Sequence, residues 1–187
     1  MKLRYRLLAI TVLFPLLSNA SELELTVNGD IELPLAVGWE VDAAGEGLSI
    51  MRGNNYDHDP DVEVNMVCDE GYGEAFIQQL VILPETNVHF SVELSTMAED
   101  GATAWCVAGL MITYRDGGTA PVGRTFLGSR SPNCIWESDG DFHLIDTTED
   151  WNTWSFWLND ELENLPAVDP ARVHSIELKL YIFADNC

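Results

Sequence analysis

Basic residues are scarce in this chain: nine Lys and Arg stand against thirty-one Asp and Glu, a formal charge of −22. Three of the nine, Lys2, Arg4 and Arg6, fall at the very start. Proteins that bind nucleic acid neutralise phosphates with clustered Lys and Arg. This chain has almost none to cluster, so nucleic acid is excluded as a partner, and an anionic membrane surface is disfavoured for the same reason. Long apolar runs are missing too. The longest, residues 7–17, falls short of the roughly 20 residues a transmembrane helix needs, so membrane insertion is not expected.

Catalytic and metal signatures are also absent. There is no G-x-S-x-G, no H-E-x-x-H and no phosphate loop. No C-x-x-C occurs, and the four His are scattered at 58, 89, 143 and 174, which makes a zinc finger a poor reading. His89, His143 and His174 read as structural or surface residues rather than catalytic bases. Thirty-one acids guarantee chance pairs, but no motif singles one out. A polysaccharide-cleaving enzyme would need two carboxylates close together beside a binding surface. The chain is therefore read as a non-enzyme.

Helical periodicity is rare. Only residues 160–165 and the connection 166–173 suit a short helical turn.

What is present begins with an export signal. Lys2, Arg4 and Arg6 precede the apolar run 7–17, and Ser18-Asn19-Ala20 follows, the three-part layout of a cleavable leader. Cutting after Ala20 leaves one domain, residues 21–187, destined to be secreted or periplasmic. No cysteine follows the cut to carry a lipid anchor.

All four cysteines, Cys68, Cys106, Cys134 and Cys187, lie beyond the leader. An even number in an exported chain suggests two disulfides, with three possible pairings. Cys106 with Cys134 and Cys68 with Cys187 is the favoured set, since the first pair flanks one hairpin-like stretch and the second fastens the C-terminus.

Alternation with period two is the strongest pattern. Val88, Phe90, Val92 and Leu94 alternate with His89, Ser91, Glu93 and Ser95, and Ile176, Leu178, Leu180 and Ile182 with Glu177, Lys179, Tyr181 and Phe183. Each is a strand with one buried face, the last having a partly aromatic outer face. Weaker patterns place strands near 24–28, 36–42, 47–51, 62–68, 75–83, 104–115, 122–127, 142–146 and 151–158. Many short strands at regular spacing predict an all-β sandwich or jelly roll. The acidic loop 54–61 and the region 117–132 read as long polar excursions, where function tends to sit.

The order of segments resembles a known group. Asn28-Gly29-Asp30-Ile31-Glu32 followed by Gly38-Trp39, then residues 62–67, then Ile77-Gln78-Gln79-Leu80-Val81-Ile82-Leu83-Pro84, then 88–94, and finally Trp151-Asn152-Thr153-Trp154-Ser155-Phe156 is similar to the carbohydrate-binding modules of families 4, 9 and 22. Glu85 stands where that group usually has a glycine, and the chain stops at Asp185-Asn186-Cys187 where the group tends to run into another strand. The resemblance implies a galactose-binding-domain-like jelly-roll β-sandwich whose partner is a polysaccharide or glycan. It also implies a structural calcium ion at Asp30 and Glu32, with Asp185 nearest to completing the site; calcium takes six to eight oxygen ligands. The cluster Asp57-His58-Asp59-Pro60-Asp61 lacks calcium-loop spacing and reads as a solvated loop.

Sugars present flat C–H faces ringed by hydroxyls, so a binding surface needs exposed rings to stack on and amides or carboxylates to pair the hydroxyls. Strand alternation turns Trp157, Trp105 and Tyr181 outward, with Gln79 and Glu93 as polar candidates; Trp39 and Trp151 are assigned to the core. The opposing reading is an exported structural or protein-interaction sandwich whose rings serve only packing. Exposure decides between them: rings gathered on one surface favour sugar, and rings buried apart from one another favour the alternative.

Overall fold

A computed structural model describes residues 6–8, 25–53, 62–84, 87–98 and 105–185. The chain forms an almost all-β sandwich. Its strands are β1 (Arg6–Leu8), β2 (Glu40–Gly53), β3 (Glu63–Ile82), β4 (His89–Met97), β5 (Cys106–Arg115), β6 (Pro121–Arg130), β7 (Phe142–Asp146), β8 (Asn152–Trp157) and β9 (Ser175–Ala184). A short helix α1 (Leu158–Leu162) and a 3-10 turn (Pro170–Arg172) interrupt them. Both helical turns fall at or beside the two stretches the sequence allowed. Among the described residues no helix is long and apolar enough to cross a membrane.

The strand order is β7-β6-β5-β9-β3-β1-β4-β8, with β2 also on β3. Every pairing is antiparallel except β6 with β7. The main layer is β2, β3, β9, β5, β6 and β7; β4 and β8 form the second. Alternation packs the layers as expected. Ile176, Leu178, Leu180 and Ile182 of β9 and Cys106, Ala108, Leu110, Ile112 and Tyr114 of β5 meet Phe90, Val92 and Leu94 of β4 in one core. Each fully buried large apolar side chain there contributes about 1.5–3 kcal/mol.

The expected strands 36–42 and 47–51 are one strand that begins only at Glu40, residues 35–38 being turn, and 62–68 and 75–83 likewise merge into β3. Glycines explain the misread breaks. Gly45, Gly47 and Gly73 have positive φ and the register shifts between Glu46 and Leu48, so the β2–β3 ladder bends without ending. Inward parity changes across the bend: Val64, Met66 and Cys68 face the core before it, Ala75, Ile77 and Val81 after it.

Other expectations need correction. Residues 25–28 are bend and turn rather than strand. The polar excursion 117–132 is mostly β6, which begins after a tight turn in which Asp116 Oδ1 accepts from the N–H groups of Gly118 and Ala120, both at 2.9 Å. Residues 54–61 lie outside the described residues. The stretch expected to be a leader is not set apart: Arg6–Leu8 pairs with β3 at Asn65–Met66 and with β4 at Ser95–Met97, because backbone donors and acceptors of both strands are open to an added strand there.

The disulfide expectation also changes. Among the described residues Cys134 is a free cysteine, so the expected Cys106–Cys134 bond is not formed. Cys106 faces the core, whereas Cys134 is half-buried in the segment after β6, close enough to Arg130 to act on its charge. Cys187 lies outside the described residues.

Candidate ligand-binding face

The outer side of the main layer carries the rings. Cross-strand register sets Phe183 of β9 beside Val107 of β5, Tyr181 between Phe76 and Gly109, Lys179 between Gln78 and Met111, and Glu177 between Leu80 and Thr113. The next strand continues each row: Gly128 lies against Gly109, Phe126 against Met111 and Arg124 against Thr113. Gly109 and Gly128 are needed where they meet, for a Cβ on either would lie within 2.7 Å of the Phe126 ring. The missing side chains let that ring lie across the sheet.

Residues 131–141 then bring Trp136 over the face. Trp136 stands edge-on to Phe126 at 5.2 Å and to Phe142 at 5.7 Å, and lies 6.1 Å from Trp105. Trp105 in turn packs on Phe183 at 4.5 Å. Arg130 anchors the crossing segment by donating to the Trp136 carbonyl at 2.7 Å while paired with Asp146 at 2.9 Å, which raises its pKa further.

A groove of about 250 Å³ runs beside Trp136, lined by Met111, Thr113, Arg115, Arg124, Glu177, Lys179 and Tyr181, among others. Lys179 Nζ sits 3.7 Å over the Phe76 ring and 5.0 Å from that of Tyr181. Burial, and then the neighbouring Glu74 carboxylate, which accepts from the Tyr181 hydroxyl, push that hydroxyl above the usual phenol range. Tyr181 is therefore a neutral ring and donor at any physiological pH. Arg115 spans the groove's end, donating to Glu177 at 2.8 Å and to the Thr119 carbonyl at 2.7 Å; its buried Nε has no hydrogen-bond partner among the described residues.

The face unites two expected residues, Trp105 and Tyr181, and leaves three elsewhere. Trp157 is on the outer side of the second layer, 48% exposed and edge-on to His89 at 5.2 Å. Glu93 shares that layer, opposite Thr153. Gln79 points inward and is 7% exposed. Its Nε2 donates to the carbonyls of Val27 (2.8 Å) and Gly38 (2.7 Å), and its Oε1 accepts from the Val27 N–H (2.7 Å). It clasps the opening segment to the sheet and lies away from the Trp136 groove, lining a separate one of about 430 Å³ with Val27, Gly38 and Glu40 among others. Trp39 is buried as expected and donates to the Asn28 carbonyl at 2.9 Å. Trp151 is only partly buried.

Trp136, Phe183, Lys179, Arg115 and Arg124 were not singled out. The aromatic outer face of the last strand signalled Phe183, and its alternation placed Lys179 beside Tyr181. Trp136 lies in irregular chain, where no periodicity announces it.

Asp30 and Glu32 share one turn, the Glu32 N–H donating to Asp30 Oδ1 at 3.3 Å. Arg52 already donates to the carbonyls of Ile31, at 2.7 Å, and of Glu32. Asp185 follows β9, where its N–H donates to the Trp105 carbonyl at 3.0 Å. Among the described residues, no group of three Asp, Glu, His or Cys side chains is placed to hold a metal ion.

Two further places were weighed. A larger groove of about 750 Å³, lined by Met97, Ser129, Arg130, Asp146, Thr147 and Glu149 among others, presents hydroxyls and carboxylates but no aromatic ring. A buried network joins Tyr114, Thr125, Glu161 and His143: Glu161 Oε1 accepts from Thr125 at 2.6 Å and lies 2.7 Å from His143 Nδ1. Its carboxylate orients the imidazole and fastens α1 to β6 and β7.

No protein-family model matches the chain, and no curated protein sequence does. Among solved structures, it is similar to the enzymatically active domain of tailspike protein 4 of bacteriophage CBA120. The TM-score is 0.43 and the identity 13%, over 87% of this chain and 20% of that one. The chain thus spans a fifth of that protein's length, and a likeness of this degree assigns no activity.

Proposed function

We propose that the protein is an exported, non-catalytic carbohydrate-binding β-sandwich of the galactose-binding-like jelly-roll type, and that its ligand lies on the outer face of the main layer. The observation that carries this reading is the row of rings on that face: Trp136 and Tyr181 line a polar groove, and Trp105, just before β5, links Trp136 to Phe183 of β9. Rings of this kind stack on sugar C–H faces while Tyr181, Thr113 and the charged groups pair hydroxyls. The one carboxylate lining the groove, Glu177, is occupied by Arg115, which favours binding over hydrolysis. A calcium ion at Asp30 and Glu32, with Asp185, belongs to the same proposal, although Arg52 already takes two carbonyls of that turn.

The test is binding of residues 21–187 to a panel of soluble and insoluble polysaccharides, with calcium and then a chelator, followed by tryptophan fluorescence. Saturable binding lost in Tyr181→Ala supports the reading; no binding to any glycan sinks it. The second reading, a protein-interaction sandwich, rests on Leu80 and Ile82, which stand 49% and 68% exposed on the outer side of β3. It predicts binding that Leu80→Ser abolishes and Tyr181→Ala leaves intact.

A further inference from the structure

Six Lys and Arg lie beyond the leader, and three of them, Arg115, Arg124 and Lys179, line the one groove beside Trp136. Glu177 is the only carboxylate in that lining, and it is paired with Arg115 at 2.8 Å. Neither the Arg124 guanidinium nor the Lys179 ammonium has an ion pair among the described residues. A chain of formal charge −22 has carboxylates to spare for every cation, so two uncompensated cations facing one aromatic-walled groove mark a place for a negative group that is not the protein's own. The Lys179 ammonium rests over the Phe76 ring of β3, on the side of β9 away from Arg124 of β6, so a carboxylate that meets both cations draws Lys179 off that ring and across the groove.

We propose that this groove binds an acidic sugar, its carboxylate held by Arg124 and Lys179 and its ring against Trp136 and Tyr181. The proposal rests on the carbohydrate reading and names the ligand class of the same site. Guanidinium suits a carboxylate because its planar fork donates two parallel N–H bonds. Two observations limit how acidic the ligand is. The groove's volume of about 250 Å³ is below the roughly 300–1,000 Å³ of pockets that enclose drug-sized ligands, so it takes one ring of a longer chain. The surrounding negative field repels a polyanion over a Debye length of about 8 Å at physiological salt. The ligand is therefore a largely neutral glycan bearing an occasional uronic acid, and not a polyuronate.

The experiment is calorimetric titration of residues 21–187 with oligosaccharides that carry a single glucuronic acid, and with the same oligosaccharides after reduction of the carboxyl to the alcohol. Binding of the acidic form at least tenfold tighter than the reduced form is expected. That preference falls below twofold in the Arg124→Ala/Lys179→Met double variant, and Arg124→Lys restores only part of the loss from Arg124→Ala. A circular dichroism spectrum like that of the parent shows the variants folded. Equal affinity for the two forms overturns the acidic-sugar inference and leaves the stacking face standing, whereas preserved preference in the double variant assigns the carboxylate elsewhere and overturns the site. Absence of binding to every neutral and acidic glycan retires both this inference and the reading beneath it.

Discussion

Trp136 stands edge-on to Phe126, their ring centroids 5.2 Å apart and their planes at 89°. Phe126 lies where Gly109 and Gly128 leave no side chains, so two strand glycines, one buried ring and one loop ring make a single unit. That unit fixes Trp136 beside the groove before any ligand arrives. Less side-chain freedom is then lost on binding, which favours affinity.

Removing the rings should weaken glycan binding without unfolding the chain. Tyr181→Ala and Trp136→Ala are each expected to lower affinity about three- to tenfold, since a stacked ring contributes about 0.5–1.5 kcal/mol beyond the area it buries. Calorimetry measures the affinity, and near-ultraviolet circular dichroism checks the fold.

Trp157→Ala, on the opposite side of the sandwich, is expected to change affinity less than twofold. It is the best exposed of the rings the sequence nominated, so a large loss would move the site to the β4–β8 layer.

Gln79 fastens the opening segment through three backbone groups of Val27 and Gly38. Gln79→Ala leaves buried polar groups unpaired, at a cost of about 2–4 kcal/mol, with little effect on affinity at temperatures where the variant is folded. Urea unfolding measures the first quantity.

The Asp116 carboxyl is held below the ordinary carboxylate range chiefly by the N–H of Ala120, then by Gly118 and Arg172. A depressed folded pKa adds stability above the unfolded carboxylate pKa of about 3.9, and that stability is lost as pH falls through the lower folded value. Asp116→Asn should therefore flatten the fall of unfolding midpoint with acid, comparing pH 6 with pH 3, while leaving an exposed turn only slightly weaker.

Arg6–Leu8 fills a three-residue position between β3 and β4, although the leader reading removes it. The core is built from later strands, so residues 21–187 should retain the β-rich spectrum of the full chain. Mass spectrometry of the exported protein should find Ser21 at its N-terminus; an intact Met1 would make β1 a permanent part of the sheet.

Much of the sandwich was legible because burial follows alternation: the inward residues of β9 and β4 are the ones period two selects. Strand ends were less so, since Gly45, Gly47, Gly71 and Gly73 mimic a turn in sequence and are a bend in a continuous ladder. The site was half legible. Trp105 and Tyr181 follow from outward parity, but parity cannot say which outer face a strand presents, so it placed Trp157 with them. Gln79 clasps the opening segment through backbone groups of Val27 and Gly38, a role that a sequence pattern does not tell apart from that of a ligand-facing amide. Trp136 depends on how residues 131–141 cross the sheet, which no local pattern encodes.

The most direct test of the account follows backbone and indole amide signals of isotopically labelled protein by nuclear magnetic resonance during titration with a glycan that binds. Shifts confined to residues 105–113, 177–183 and the Trp136 indole, with residues 153–157 unmoved, are the predicted result. Shifts centred on Trp157, or along Leu80 and Ile82 with Tyr181 silent, would contradict it.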